Sequence, residues 1–149
     1  MIQKEEAYCS HNVSNLLKED GFDWPTQFVW YDHLPEENTF YKEKAGKEAM
    51  DYFYYTDTSE NNCCYQNSQE KPSYIEGDIC SAPTQQMAMR YLRKKGIYII
   101  VSPFLMESED KVTWWVQIIA EENFEEITEL PSFEEAVDAA IEWALKNIK

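Results

Sequence analysis

Residues 97–119 read Ile97-Tyr-Ile-Ile-Val-Ser-Pro-Phe-Leu-Met-Glu-Ser-Glu-Asp-Lys-Val-Thr-Trp-Trp-Val-Gln-Ile-Ile119, and residues 132–147 read Ser132-Phe-Glu-Glu-Ala-Val-Asp-Ala-Ala-Ile-Glu-Trp-Ala-Leu-Lys-Asn147. The second stretch is a helix. Ser132 followed by Glu135 is a capping box, in which side chains at both positions satisfy free backbone N–H groups of the first turn. Phe133, Ala136, Val137, Ala140, Ile141, Ala144, Leu145 and Ile148 recur on one face. Glu135, Asp138 and Glu142 form an acidic ridge opposite, and Glu142 with Lys146 is an i, i+4 pair in the favoured order. The first stretch holds two apolar runs, Ile97–Val101 and Val112–Ile119, joined by the polar link Met106–Lys111. Its β-branched and aromatic content predicts an antiparallel hairpin, with Pro103 interrupting the first strand. Phe124–Ile127 is the expected site of a short edge strand.

Upstream, Ala82-Pro83 opens a helix that runs to about Lys95 and stops at Gly96. Thr84, Met87, Ala88, Tyr91 and Leu92 cover one face, and Arg90, Arg93 and Lys94 form a basic ridge on the other. Near the start, Ser10 caps a helix to about Asp20 that buries Val13, Leu16 and Leu17. Gly21 ends it, and Phe22 is placed to touch Leu17. Gln27–Tyr31 and Tyr52–Tyr55 read as strands, with another expected at Thr39–Lys42. Lys42–Met50 is ambiguous. The polar residues 57–73 are expected to be a mobile loop.

The order α-β-β-(β)-α-β-β-α predicts an α+β fold, three helices packed on a mostly antiparallel sheet, with residues 1–149 as a single domain. The 22 aromatics, 15% of the chain, are too many for a disordered acidic polymer. Eleven of them lie between Phe22 and Tyr55, where an aromatic core is the simplest reading and a stacking platform the alternative.

Net charge is −15. Twelve acids lie between Glu107 and Glu142 against one base, Lys111. Such an excess opposes direct nucleic-acid binding, which requires Lys and Arg to neutralise phosphates. No apolar run reaches the ~20 residues of a membrane span, so no membrane partner is expected. The first residues lack the apolar stretch of a signal peptide, so reduced thiols and a cytoplasmic location are expected. Cys9, Cys63, Cys64 and Cys80 do not have zinc-ligand spacing, and no metal or cofactor is expected. No nucleophile elbow, phosphate loop or dinucleotide fingerprint is present, so no catalytic residue is assigned.

Residues 81–99 and 132–145, with Leu16-Leu17-Lys18 and Gly21-Phe22, resemble a group of short uncharacterised proteins of gut Bacteroidota, their phages and mobile elements. The marks are Ala82-Pro83-Thr84-Gln85, Leu92-Arg93, a Trp in the hairpin (Trp114 or Trp115) and Phe133-Glu134-Glu135-Ala136; relatives often carry Trp where this chain has Tyr91. The resemblance covers about half of the chain and leaves residues 43–73 unmatched. It implies a prokaryotic or phage setting and supplies no catalytic residues.

Three functional readings follow. The first is a small soluble acidic accessory or binding module acting through protein contacts, with a protein partner or self-association, in its simplest form as a homodimer. Its candidate interaction residues are Glu135, Asp138 and Glu142 on one ridge and Arg90, Arg93 and Lys94 on the other. The second is an acidic nucleic-acid mimic that inhibits a basic host or competitor protein. The third is a thiol or carboxylate hydrolase using Cys9 or the Cys63-Cys64 loop.

Overall fold

Residues 7–31, 52–55, 65–70 and 77–148 are described by the structure, a computed structural model. Among the described residues the architecture is α+β, with three helices and two antiparallel three-stranded sheets. In chain order the elements are α1 (His11–Glu19), β1 (Phe28–Tyr31), β2 (Tyr52–Tyr55), β3 (Ile79–Ala82), α2 (Gln85–Lys94), β4 (Tyr98–Met106), β5 (Lys111–Ala120), β6 (Asn123–Leu130) and α3 (Phe133–Asn147). Where the sequence suggests one sheet, the described strands form two, one in each of two compact units. One unit spans residues 10–83 and holds the sheet β2-β1-β3; the other joins residues 1–9 to 84–149 and holds β4-β5-β6.

In the 10–83 unit, α1 begins where the Ser10 hydroxyl accepts the Val13 N–H at 3.2 Å. It packs on β3, whose four residues are all buried. Val13, Leu17, Phe22, Phe28, Val29, Ile79 and Cys80 make the core. Fully burying a side chain of the Leu or Phe kind is worth about 1.5–3 kcal/mol. Phe22 and Phe28 thus serve the core, while Trp30 stacks on the buried His11 ring with centroids 5.4 Å apart. Ile79–Ala82 was not expected as a strand, because four residues without polar alternation carry no period-two signal. The expected strand at Thr39–Lys42 and the ambiguous Lys42–Met50 lie outside the described residues.

Part of the polar stretch 57–73 is anchored. Tyr65 is buried and exchanges backbone hydrogen bonds with Thr26 at 2.9 and 2.7 Å. The Asn67 amide donates to the Phe22 carbonyl (2.8 Å) and the Ser81 hydroxyl (2.9 Å), and its oxygen accepts the Ser81 N–H (2.9 Å). One polar side chain so ties the end of α1 to β3. Residues 57–64 and 71–73 lie outside the described residues.

In the second unit, α2 starts at Gln85, three residues later than Ala82. Ala82 is paired with Phe28 in its own sheet, and Thr84 is the cap, accepting the Met87 N–H at 3.1 Å. Helix α3 follows its capping box: the Ser132 hydroxyl accepts the Glu135 N–H and donates to the Glu135 carboxylate, both at 3.1 Å. Ala136, Val137, Ala140, Ile141 and Ala144 are buried where α3 packs on the sheet and on α2, and Val116 and Ile118 of β5 are buried too. Strand β4 continues through Pro103, which an edge strand tolerates because the missing N–H need not pair. Strand β6 is longer than expected, extending past a register shift opposite Trp114–Val116 to Leu130, with Glu129 at φ 61°.

Helices α1 and α2 end by the same device. After α1, the Phe22 N–H bonds the Leu17 carbonyl (2.9 Å) and the Gly21 N–H bonds Lys18 (3.1 Å); after α2, Ile97 bonds Leu92 and Gly96 bonds Arg93, both at 3.0 Å. These are paired Schellman bonds, and they require a left-handed residue. Gly21 and Gly96 supply it at φ +100° and +81°. Open space surrounds both positions, so a methyl group there would meet only backbone strain. Gly21→Ala and Gly96→Ala are each expected to lower stability by about 1–2 kcal/mol, read from urea unfolding midpoints. Unchanged midpoints would show that these caps contribute nothing.

Candidate functional site

The β4-β5-β6 sheet has two faces of different character. Strand side chains alternate between faces, and directly paired residues share one. The pairs Pro103–Trp114, Val101–Val116 and Ile99–Ile118 face the helices. There Val116 and Ile118 are fully buried, and the Trp114 ring meets Phe133 edge-on at 5.5 Å. The opposite face carries Tyr98, Ile100, Phe104, Ile119 and Phe124, which are 50, 45, 45, 36 and 61% exposed. Tyr98, Ile119 and Phe124 are successive partners and form one row across all three strands. Further along the same face Phe104 stacks on Trp115 with centroids 4.5 Å apart. The Tyr98–Ile119–Phe124 row with Ile100 is one exposed apolar group; Ser102 and the Gln117–Glu126 pair separate it from Phe104 and Trp115, beneath which Thr113 is buried. Exposed apolar groups of connected residues are a usual mark of a docking site.

Carboxylates border that face at both ends. Glu121 and Glu122 form the β5–β6 turn beside the Tyr98–Ile119–Phe124 row, and Glu107, Glu109 and Asp110 lie in the β4–β5 turn beyond Phe104. None of these five has an ion-pair partner among the described residues. On the face itself Glu126 accepts a 3.3 Å hydrogen bond from Gln117.

The ridges expected from the helices stand differently. Glu135 is occupied by the α3 cap and Glu142 by its ion pair with Lys146 at 2.8 Å. Asp138 is half-buried and lies close enough to Cys9 to act on its thiol. The acidic ridge of α3 is therefore largely engaged within its own unit. Arg90, Arg93 and Lys94 are exposed on α2 as their spacing predicts. The residue pattern alone does not single out the exposed aromatics of β4 and β6, because two apolar runs in a hairpin look like core strands. The available signal was apolar residues at both parities of Ile97–Val101, more than one helix-covered face can bury.

Cys9 and Cys80 are buried free thiols. Cys9 directs its S–H to the Thr84 carbonyl, 3.8 Å away. Burial pushes its thiol well above the ordinary range, the Asp138 charge pushes it further, and a backbone hydrogen bond opposes them. A nucleophilic thiol needs the reverse environment. His33, Cys63 and Cys64 lie outside the described residues. Among the described residues no group of three His, Cys, Asp or Glu could hold a metal ion, and no helix is long and apolar enough to cross a membrane.

Two measurements check this environment. Below the ordinary thiol pKa of about 8.5, Cys9 is neutral folded or unfolded. Above it the unfolded chain loses a proton that the folded chain keeps, so stability falls with rising pH, by up to about 1.4 kcal/mol per pH unit. Cys9→Ala is expected to flatten that slope in urea titrations between neutral and alkaline pH; an equal slope in the variant would place the titrating group elsewhere. The second concerns Thr113, which is buried with its hydroxyl unpartnered, as is the Trp115 indole N–H. Thr113→Val removes an orphaned polar atom at nearly constant shape and is expected to raise stability by about 1 kcal/mol; a loss of that size would show that the hydroxyl is hydrogen-bonded. Comparison with protein-family models, with curated proteins and with solved structures finds no match to this chain.

Proposed function

We propose that this chain is a small acidic binding module that works through protein contacts, and that its contact surface is the open face of the β4-β5-β6 sheet. The observation that carries the reading is the exposed row Tyr98–Ile119–Phe124 with Ile100 and Phe104 beside it. Exposed aromatic area of this kind is enriched at protein interfaces, where large rigid rings bury much surface at low entropic cost. The resemblance to short proteins of Bacteroidota, phages and mobile elements suggests a bacterial setting for the partner.

A nucleic-acid mimic built on Glu135, Asp138 and Glu142 draws less support, because a phosphate-like array needs free carboxylates and Glu142 is neutralised by Lys146. The hydrolase reading draws less support at Cys9, whose buried thiol is pushed above its ordinary range by burial and by the Asp138 charge.

Affinity capture from a bacterial lysate, with wild type and a Tyr98→Ser/Phe124→Ser variant as baits, tests the proposal. Both positions are exposed, so the variant is expected to keep its unfolding free energy to within about 0.5 kcal/mol per site. A discrete set of proteins is expected to fall about tenfold in the variant's eluate. Identical capture by the two folded baits would remove the open face as the contact surface.

A further inference from the structure

Resting on that reading of the open face, we infer that its partner is a cationic amphipathic helix: an apolar stripe flanked at both ends by Lys or Arg. Three observations converge. The first is shape. From Tyr98 to Phe104 the strip runs six residues along β4, about 20 Å at strand spacing, apolar at both ends and crossed between them by Ser102 and the Gln117–Glu126 pair. A helix of about 13 residues spans the same length. On its other face this sheet already carries a helix, the 15-residue α3, which contacts β4, β5 and β6. The open face presents the same three strands to a second one.

The second is charge. The strip ends at Glu121 and Glu122 on one side and at Glu107, Glu109 and Asp110 on the other, all without ion-pair partners among the described residues. Basic residues at both ends of a docked helix would meet these carboxylates. Rim charges of this kind speed encounter and reject like-charged surfaces. The same rule counts against a second copy of this chain. A two-fold interface sets a patch against itself, so acidic rim would meet acidic rim between molecules of net charge −15.

The third is the state of the strand edges. Pro103 interrupts the outer edge of β4, and β6 carries Glu125, Glu126 and a left-handed Glu129 along its length. Both devices oppose strand addition, which leaves the face rather than the edge as the docking surface.

The test uses three dye-labelled synthetic peptides of equal length, titrated with the full chain at low and moderate salt. One is a Leu/Lys amphipathic helix, one has the same composition in scrambled order, and one is the Leu/Glu counterpart of the first. The Leu/Lys helix is expected to bind, the scrambled peptide about tenfold more weakly, and the Leu/Glu helix not at all. Affinity is expected to fall with salt, because the rim pairs are exposed. Ile100→Ser/Phe124→Ser should weaken the Leu/Lys helix about tenfold, and Glu121→Gln/Glu122→Gln should reduce its salt dependence. Equal binding of the scrambled peptide, or no loss in Ile100→Ser/Phe124→Ser, would overturn the inference by showing charge attraction without docking on this face. Absence of binding by every peptide would overturn the cationic helix as partner. If the chain then sediments as a dimer that Phe124→Glu dissociates, the face remains the contact surface and its occupant is a second copy. Loss of contact-surface function altogether is read separately, from identical lysate capture by the Tyr98→Ser/Phe124→Ser bait.

Discussion

A three-stranded sheet has two faces, and the helices of its unit, α3 and α2, cover one of them. That one-sided covering holds over the Tyr98–Val101 half of β4; toward the β4–β5 turn the helix-side pair Leu105–Val112 is exposed as well, and Thr113 on the other face is buried. Val116 and Ile118 lose all exposure beneath α3, while Phe124 keeps more than half of its own on the other side. A sheet whose second face meets water ordinarily alternates apolar with polar residues. Here Tyr98, Ile119 and Phe124 break the alternation in adjacent cross-strand positions, with Ile100 two residues along β4 from Tyr98. Scattered exposed apolar residues call for no explanation; a connected group does.

The charge of the chain makes sense beside that surface. An uncovered aromatic face and two sheet edges would promote self-association in a neutral protein. Glu121, Glu122, Glu107, Glu109 and Asp110 gather at the ends of the strip, and Glu125, Glu126 and Glu129 line β6. Like charges around an apolar patch keep copies apart while leaving the patch available to a surface of opposite sign. The acids of α3 have other work: Glu135 closes a cap, Glu142 pairs with Lys146, and Asp138 lies beside Cys9.

Much of the local structure was legible in the residues. Ser10 and Ser132 each accept a backbone N–H at the head of a helix, and Gly21 and Gly96 close α1 and α2 with the paired backbone bonds Phe22–Leu17 and Ile97–Leu92. Caps and Schellman motifs involve groups within about six residues of one another, so sequence proximity supplies both partners. The start of α2 was displaced because Ala82 found a partner in Phe28, 54 positions away. Asn67 was equally opaque: its amide holds Phe22 and Ser81, and only the folded chain brings those two groups to one side chain.

The amino-acid sequence determined the α+β class, the helix boundaries set by caps and glycines, the β4–β5 hairpin and the acidity of residues 107–142, since each rests on short-range chemistry or on composition. Tertiary structure decided the division of six strands into two sheets, the occupation of the α3 carboxylates, the burial of Cys9 and above all which apolar residues of β4, β5 and β6 stay in water. Those outcomes depend on which face a distant helix covers, and a periodicity of two in a strand marks that there are two faces without saying which of them is packed.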